Sequence, residues 1–522
     1  MALGRTRCVT LSGIDGHVVD VEADVASGLP AFTVTGLPDA SLGEARDRVR
    51  AACHNSEVAL PPRRITVNLS PASLRKAGTS FDVAIAVAVL AAGDVIPHRA
   101  PEGVVHLGEL GLDGRVRAVR GVLPMVLAAA RAGVRRVVVP MANVAEASLV
   151  TDVEVFGART LAGLVAAYRG EPALDLDVPE DDRSDDHDDP VRSGTVADVE
   201  TAPLDLADVV GQVEARHALE VAAAGRHHLF LLGPPGAGKT MLAARLPGLL
   251  PDLDDASALE VTAVHSLAGA LPAGRGLVVR PPFVDPHHTS SPAAVVGGGS
   301  GVPRPGAASR AHRGVLFLDE APEFDVRVLD ALRQPLENGE LVIHRAAGHA
   351  RYPARFQLVM AANPCPCGNA SGKGIDCTCT PIARRRYLHR LSGPLLDRVD
   401  LQVQVLPVTR AVLAGAEAPE PTERVAGRVR EARAAQATRW AGTSWRVNAE
   451  VPGHELRRGG WRLPPATTRT IDAAIERGTL TVRGYDRVLR TAWTLADLGG
   501  RDRPARDDVE QAAALRQHQA AA

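Results

Sequence analysis

Three short apolar segments of this chain each end in polar or glycine-rich residues. The segments cover residues 228–232, 314–318 and 356–362. Apolar runs of this length are typical of strands buried in a parallel sheet. The first leads into a glycine-rich turn and a predicted helix, the second into two carboxylates and the third into Asn363. We therefore expect an α/β fold in which these strand ends meet at one site.

Two segments nearer the carboxyl terminus have other periodicities. Residues 480–498 place apolar side chains at helical spacing with arginines opposite, which predicts an amphipathic helix. Residues 341–355 carry apolar residues on both sides of Gly348, which predicts a β-hairpin. We expect Arg345, His349 and Arg351 to lie near its tip.

The composition constrains the function only weakly. With 522 residues, 45% of them hydrophobic and 23% charged, the chain has room for two or three globular domains. Aromatic residues make up only 3%, which argues against base-stacking platforms as the main contact with nucleic acid. The net charge of −2 means that any nucleic-acid binding depends on a local basic surface. Since no apolar run approaches the length of a membrane span, we expect a cytoplasmic protein without membrane contact.

One strongly acidic segment divides the chain. Residues 171–190 contain ten Asp or Glu and one Arg, which predicts a solvated linker, although a regulatory acidic tether is an alternative. We therefore assign a first domain to residues 1–170 and a disordered linker to residues 171–201. A second domain, which holds the three apolar segments, then covers residues 202–407, and a helical domain covers residues 408–522.

The glycine-rich turn carries the strongest chemical signal. It consists of Gly233, Pro234, Pro235, Gly236, Ala237, Gly238, Lys239 and Thr240. Between a strand and a helix, such a turn binds phosphate through backbone N–H groups, while Lys239 contacts the β- and γ-phosphates and Thr240 ligates Mg²⁺. The chain has only three lysines, so one in this place is a selective use of a compact charge. The pattern predicts an ATP and Mg²⁺ site; the alternative is a plain glycine turn.

Polar residues at the other two strand ends complete this prediction. Asp319 would ligate the metal, and Glu320 would act on the water that attacks the γ-phosphorus. Both could also cap the following helix. Asn363 could orient the same water together with Glu320, or it could simply form a turn with Pro364.

Two arginines are further catalytic candidates. Arg398 could complete the site of a neighbouring subunit, which requires an oligomer; the alternative is an ion pair with Asp397 or Asp400. Arg483, at the start of the amphipathic helix, could reach the nucleotide or could be a solvated surface residue.

Four of the six cysteines form two close pairs, and all six are expected to be reduced thiols in the cytoplasm. Cys365 and Cys367 precede a polar loop that Cys377 and Cys379 follow. Four thiolates could close around Zn²⁺, although the one-residue spacing within each pair is tighter than in common zinc fingers. A zinc site and a set of free thiols both stay open.

Several longer segments carry a resemblance to a known family. They are residues 286–291, 297–299, 304–306, 314–324, 362–368, 391–398 and 490–497. Through them the chain resembles, nearly end to end, the magnesium-chelatase-like AAA+ proteins of the YifB/ComM type. The family usually has a second arginine where this chain has Trp493. The resemblance implies an α/β P-loop AAA+ motor with a helical C-terminal lid, which forms a ring, a hexamer, with ATP between subunits.

The resemblance also suggests DNA as the partner. ComM-type members are branch-migration helicases in natural transformation, acting on single-stranded or branched DNA. The predicted hairpin is similar to the pre-sensor hairpin of minichromosome-maintenance helicases, and Arg345 falls where those proteins have a lysine. Contacts to phosphate of this kind are independent of sequence and weaken with salt. A surface hairpin without a ligand is the alternative.

The first domain resembles the C-terminal α+β domain of Lon protease. The similar segments are residues 78–82, 108–115 and 128–133. Ser80 falls where Lon has its nucleophile and Leu123 where Lon has its lysine, so the resemblance implies a domain without peptidase activity. Ser80 as a helix cap is a sufficient alternative.

We weigh three functions from the sequence. The leading one is an ATP-driven ring motor on DNA. The second is the motor subunit of a metal chelatase, which would need separate partners and has no Lon-like first domain. The third is an ATP-dependent protease, which Leu123 disfavours.

Overall fold

The computed structural model describes most of the chain. The described residues are 3–37, 39–76, 78–172, 204–272, 274, 276–299, 303–345, 348–370, 376–408 and 419–517. The linker predicted for residues 171–201 lies outside them except for its first two residues.

The amino-terminal domain is built on a mixed sheet. Its described strands are β1 (Gly4–Ser12), β2 (Asp15–Ala26), β3 (Ala31–Thr35), β4 (Arg64–Ser70), β5 (Val105–His106), β6 (Glu109–Leu110), β7 (Val116–Arg117), β8 (Arg136–Pro140) and β9 (Glu154–Ala158). Its described helices are α1 (Ala40–Gly43), α2 (Ala45–Asn55), α3 (Asp82–Ala92), α4 (Val122–Arg131), α5 (Val144–Ala147) and α6 (Leu161–Arg169). Seven strands join in the order β3-β4-β2-β1-β5-β8-β9, and β6 pairs separately with β7.

Helix α3 is the centre of this domain. Its sequence is apolar on all sides, and all 11 of its residues are buried against β1 and β2. The buried charges of the domain have partners. The Asp82 carboxylate accepts from the guanidinium of Arg48 (2.6 and 3.0 Å). The Lys76 ammonium donates to the carbonyl oxygens of Gly36 (2.9 Å) and Pro71, and burial lowers the pKa of Lys76.

The second domain contains a parallel sheet and two hairpins. Its described strands are β10 (Leu229–Leu232), β11 (Phe283–Val284), β12 (Gly297–Gly298), β13 (Arg304–Pro305), β14 (Val315–Leu318), β15 (Glu340–Arg345), β16 (Gly348–Pro353), β17 (Gln357–Ala362) and β18 (Leu401–Gln404). Its described helices are α7 (Val213–Gly225), α8 (Lys239–Leu249), α9 (Asp255–Ala268), α10 (Pro292–Val296), α11 (Ala307–Arg310), α12 (Val326–Ala331), α13 (Arg333–Asn338), α14 (Pro381–His389) and α15 (Gly393–Leu396).

Five parallel strands form this sheet in the order β11-β14-β17-β10-β18. The three apolar segments predicted from the sequence are its three inner strands, β14, β17 and β10, which confirms that prediction. Successive side chains enter opposite cores: Leu229 and Leu231 lie in one, and Phe230 lies in the other. A core on each face explains why these strands lack polar alternation.

The carboxyl-terminal part is helical. Its described α-helices are α16 (Thr422–Arg439), α17 (Gly453–Leu456), α18 (Pro465–Glu476), α19 (Val482–Leu498) and α20 (Arg506–Gln517). Helix α19 is the predicted amphipathic helix, and the Thr481 hydroxyl caps it by accepting from the Gly484 amide (3.0 Å). Trp493 lies in the core that this part shares with the sheet, and its ring centroid is 5.8 Å from that of Trp461. Trp493 occupies the position at which the family usually has a second arginine. None of the described helices is both long and apolar enough to cross a bilayer.

The amino-terminal domain contacts the second domain in two places. In the first, α4 packs on α9, and Ala263 of α9 is part of the amino-terminal core. In the second, the turn between β1 and β2 meets strand β16. There the Ser12 hydroxyl donates to the carbonyl oxygen of His349 (3.0 Å), and the Ile14 amide donates to that of Arg351 (3.2 Å). The hairpin is therefore attached to the first domain as well as to the sheet.

Candidate nucleotide-binding site

The glycine-rich turn joins β10 to α8 at the carboxyl edge of the parallel sheet. Gly236 and Gly238 have φ angles of +73° and +93°, which other residues rarely adopt. Gly238 directly precedes α8, so the first amides of that helix face the turn. Such a helix start is suited to binding phosphate.

Lys239 connects the ends of two strands. Its Nζ donates to the carbonyl oxygens of Gly233 (2.7 Å) and Pro234 (2.9 Å) and to Oδ1 of Asn363 (3.0 Å). The side chain is largely buried, and burial lowers the pKa of its ammonium. The lysine thus lies between the turn after β10 and the residue that follows β17.

Thr240 and Asp319 bring the third strand to the same place. The Thr240 hydroxyl donates to Oδ2 of Asp319 at 2.6 Å, and the other carboxylate oxygen accepts from the amide of Glu320 (2.9 Å). Hydroxyl and carboxylate oxygens are the hard ligands that Mg²⁺ prefers, and Mg²⁺ usually takes one or two from protein beside water and phosphate. The pair therefore fits the metal predicted from the sequence.

Glu320 is held in an unusual backbone conformation. Its φ is +50°, a region that costs a residue other than glycine about 1 kcal/mol or more. Its Oε2 lies 3.3 Å from Nδ1 of His288, and its side chain is about half exposed. Glu320 stands at the first position before a short helical turn without a side-chain cap, so the capping alternative does not hold for it.

The sequence reasoning missed two residues near this acidic pair. Asp285 and His288 follow edge strand β11, which contains only two residues. Asp285 follows the strand that pairs with β14, and its pKa is raised by burial and by the negative charge of Asp319. His288 lies within residues 286–291 and Asp285 directly precedes them, but an apolar run of two residues is too short to reveal a strand end.

These residues surround one cleft of about 470 Å³, a size within the range of small-ligand sites. Its described lining consists of Pro235, Gly236, Gly238, Lys239, Thr240, Met241, Asp319, Glu320, Ala362 and Asn363. The strand ends predicted to meet at one site therefore do meet.

Neither candidate arginine is in the described lining of this cleft. Arg398 is buried, and its guanidinium donates to the carboxylate of Glu337 and to the carbonyl oxygen of Pro394 (2.5 Å). Arg483 is largely exposed and lies 3.7 Å from a carboxylate oxygen of Asp397.

Arg398 therefore forms an ion pair, but its partner is Glu337, so the predicted partners Asp397 and Asp400 are wrong. Asp397 pairs with Arg516 (3.4 Å), and Asp400 pairs with Arg487 (2.6 Å). Adjacency in sequence did not decide the pairing, because the partners come from α13, α19 and α20.

The hairpin formed by β15 and β16 has the predicted position but a different register. Arg345 pairs with Gly348 next to the turn, and His349 pairs with His344. Arg351 pairs with Val342, further from the tip, and its guanidinium lies 3.7 Å from the Glu340 carboxylate. Placing Arg351 near the tip was therefore wrong, since its pair with Val342 is three pairs away from Arg345–Gly348, the last described pair of the hairpin.

The four clustered cysteines converge in space. Their sulfur atoms lie within 4.8 Å of one another, with Cys365 Sγ 3.3 Å from Cys367 Sγ and 3.6 Å from Cys377 Sγ. The backbone amide of Asn369 donates to Cys367 and lowers its pKa to about 6, whereas burial raises the pKa of Cys365 to about 11. Cys8 and Cys53 are free thiols buried in the amino-terminal domain.

The serine predicted to match a nucleophile lies inside the amino-terminal domain. Ser80 is buried, and α3 begins at Asp82 with Phe81 at the capping position, so the prediction that Ser80 caps this helix is wrong. Leu123 is fully buried and contributes only its amide, which donates to Oε1 of Glu146 (2.9 Å).

The sheet and the cleft together define a class of protein. In this parallel sheet the glycine-rich turn follows β10, which lies beside the central strand β17. The acidic residues follow β14 on the other side of β17, and Asn363 follows β17 itself. This is the arrangement of an AAA+ P-loop nucleotide-binding protein.

Comparison with known proteins gives the family. Models described as magnesium chelatase subunit ChlI match residues 205–413 and 21–143, and the model of that subunit's C-terminal region matches residues 419–516. An uncharacterised protein of Mycobacterium tuberculosis is 53% identical over 520 residues, with 99% of each chain covered. Competence protein ComM of Haemophilus influenzae is 41% identical over 489 residues, which cover 94% of this chain and 92% of ComM. YifB of Escherichia coli is 38% identical over 517 residues, 99% of this chain and 97% of YifB. The chain belongs to the YifB/ComM family of magnesium-chelatase-like AAA+ proteins.

Proposed function

We propose that this chain hydrolyses ATP as a motor that acts on DNA, working as a ring of identical subunits, a hexamer. The observation that carries the proposal is the meeting of three strand ends in one cleft. Thr240 contacts Asp319 at 2.6 Å, and Lys239 contacts Asn363 at 3.0 Å.

The polar side chains and the turn amides of the cleft then have roles in hydrolysis. The amides of the turn and Lys239 bind the β- and γ-phosphates, and Thr240 and Asp319 hold Mg²⁺. Mg²⁺, when bound, offsets the negative charge of the phosphates. Glu320 accepts a proton from the attacking water, and Asn363 orients that water.

The positions of the arginines support a ring. Burial lowers the pKa of Arg398, and so do the positive charges of Arg333, Arg483 and Arg487 around it. These arginines are outside the described lining of the chain's own cleft, and each has a carboxylate partner within 4 Å. A group of arginines suits the phosphates in the cleft of a neighbouring subunit, where Arg398 would stabilise the transition state and Arg483 would contact the nucleotide. In this proposal the helical domain acts as the lid.

The hairpin supports DNA as the partner. The net charge of −2 provides no general attraction to DNA, so binding needs a local basic element. Arg345 is next to the turn of β15 and β16, with His349 one pair further along. Both precede β17, and Asn363 directly follows that strand, so one strand links the hairpin to the nucleotide cleft. A relative named as a competence protein, similar over nearly the whole chain, agrees with this partner.

The amino-terminal domain would serve assembly or substrate engagement in a Lon-like fold. Leu123 supplies no amine to activate Ser80, so we do not propose peptidase activity. The role of a chelatase motor remains the second candidate because the matching family models carry that name. ATP turnover stimulated by a tetrapyrrole and unaffected by DNA would favour it.

The test is the rate of ATP hydrolysis with and without single-stranded, duplex and four-way-junction DNA at low salt. We expect DNA to stimulate turnover and Lys239→Ala to abolish it. Arg345→Ala should leave basal turnover intact and remove most of the stimulation, because it removes only the phosphate contact. Arg424→Ala on α16, an exposed arginine far along the chain from the hairpin, is the matched control and should behave as wild type.

Two results would overturn the proposal. One is ATP turnover that survives Lys239→Ala. The other is turnover that no DNA structure stimulates, with no movement of branched DNA by the purified protein. Gel filtration with a non-hydrolysable nucleotide then tests the ring, since a monomer under these conditions would leave Arg398 without a neighbouring site.

A further inference from the structure

The cysteine cluster has the geometry of a metal site. Its two pairs come from chain segments on either side of residues 371–375, which lie outside the described residues. A tetrahedral zinc site with Zn–S bonds of about 2.3 Å has sulfur–sulfur separations of about 3.8 Å. The distances of 3.3 and 3.6 Å from Cys365 to its neighbours, with all four sulfurs within 4.8 Å, are close to that arrangement.

The chemistry of the ligands favours zinc. Four cysteine sulfurs make a soft donor set, and tetrahedral sites of four sulfurs take zinc or iron. Four closely packed thiolates would repel one another unless a cation neutralised them. A site of four protein ligands is also closed, which is typical of structural rather than catalytic zinc.

The cluster is adjacent to the nucleotide cleft through the backbone. Cys365 is two residues beyond Asn363, whose side chain accepts from Lys239. Gly368 packs directly on the phosphate turn: a Cβ added to Gly368 would lie 2.5 Å from ring carbons of Pro235. The first pair of cysteines is therefore placed between Asn363 and the turn.

The second pair of cysteines leads back to the same residue. Helix α14 begins at Pro381, two residues after Cys379. From this helix the hydroxyl of the buried Tyr387 accepts from the backbone amide of Asn363. A bond between the two pairs of cysteines would close residues 365–379 into a loop. The chain contacts Asn363 both before this loop and after it.

We propose that Cys365, Cys367, Cys377 and Cys379 bind one Zn²⁺, and that this zinc site holds Asn363 and the phosphate turn in position for ATP turnover. The metal site stands on the cysteine geometry alone, whereas its effect on turnover rests on the proposed ATPase function.

The first experiment measures metal in the purified full-length chain by inductively coupled plasma mass spectrometry, without ATP or DNA. We expect about one zinc per chain in the wild type and none in a Cys377→Ser, Cys379→Ser double variant. Cys53→Ala, which removes a buried thiol outside the cluster, is the matched control and should keep its zinc. Iron in place of zinc, or no metal after growth with zinc, would overturn the site whether or not the protein hydrolyses ATP.

The second experiment tests the effect on the cleft. Gly368→Ala keeps all four thiols and should keep zinc, but its Cβ pushes against Pro235. We expect its kcat for ATP to fall at least about tenfold with a smaller change in KM, since displacements of about 1 Å can cost 100-fold. The double variant should show the same kcat loss, and Cys53→Ala should show none. Gly368→Ala with zinc bound and kcat unchanged would overturn the positioning role, and this result does not depend on the double variant being stable. A stable double variant without zinc and with unchanged kcat would overturn it as well.

Discussion

At the scale of single residues, Glu320 is the side chain to which the proposed function assigns the proton transfer. It occupies a left-handed backbone conformation with φ of +50°, and His288 lies 3.3 Å from its carboxylate. The adjacent Asp319 is engaged with Thr240 and with the backbone. The two neighbouring acids thus have separate partners, which supports separate roles as metal ligand and proton acceptor.

Glu320→Gln tests this separation. The change keeps the size of the side chain and removes the proton acceptor, so we expect ATP hydrolysis to fall by about 100-fold or more. Binding of ATP should be nearly unchanged, because Lys239 and the turn are intact. Single-turnover hydrolysis and nucleotide titration by calorimetry measure the two quantities. Loss of binding equal to the loss of hydrolysis would mean that Glu320 shapes the cleft rather than acting in the reaction.

At the scale of elements, a buried polar junction connects the sheet to the helical domain. Asp400, next to β18, pairs with Arg487 of α19 at 2.6 Å and accepts from the His228 amide at 2.9 Å. Burial alone would raise the pKa of Asp400, but Arg487 and the adjacent His227 and His228 outweigh it and hold the pKa well below its ordinary value. The ion pair therefore fixes the position of α19 against the sheet.

Arg487→Met should destabilise the fold by about 3–5 kcal/mol, since it leaves a buried carboxylate without its partner. The folded-state pKa of Asp400 is depressed, so the pair stabilises the fold above the ordinary carboxyl pKa of about 3.9 and this contribution is lost as pH falls. The deficit of the variant in urea unfolding should thus be full near neutral pH and shrink only as the pH falls below ~4. A second change, Asp400→Asn, should recover much of it; no recovery would assign the loss to packing alone.

The sequence predicted these elements unevenly, for physical reasons. Strands β10, β14 and β17 were found because burial on both faces makes them continuously apolar. The positions of Asp285 and His288 near the acidic pair were missed because β11 has two residues and carries no periodic signal. The distance of Arg351 from the hairpin tip was misjudged because hairpin register depends on the turn. The partner of Arg398 was misjudged because ion pairs depend on tertiary contacts.

At the scale of the whole molecule, the amino-terminal domain and the hairpin are joined. The turn between β1 and β2 bonds to the backbone of β16 through Ser12 and Ile14. Gly13, between them, has φ of +69°, and an added Cβ would lie 2.3 Å from the carbonyl oxygen of Arg351. A displacement of the hairpin would therefore also displace the turn between β1 and β2 in the first domain.

Gly13→Val should separate the turn from the hairpin without touching the cleft. We expect basal ATP hydrolysis to stay within about twofold of the wild type, because the variant is remote from the cleft residues. Stimulation by DNA should change clearly, since the hairpin loses one support. Gly43→Ala, where an added Cβ meets nothing within 4 Å, is the control. Equal stimulation in wild type and both variants would show that the contact does not influence the response to DNA.

The scarcity of lysine has a further consequence for the chemistry of the surface. Of the two lysines that the structure describes, Lys76 is enclosed with its ammonium bound to carbonyl oxygens, and Lys239 borders the cleft. Arginine carries the remaining basic charge of these regions and does not react with acylating agents at neutral pH, because it stays protonated. Within the described chain, an acylating agent that attacks lysine amines can therefore react only with Lys239, at the cleft, as long as the protein stays folded.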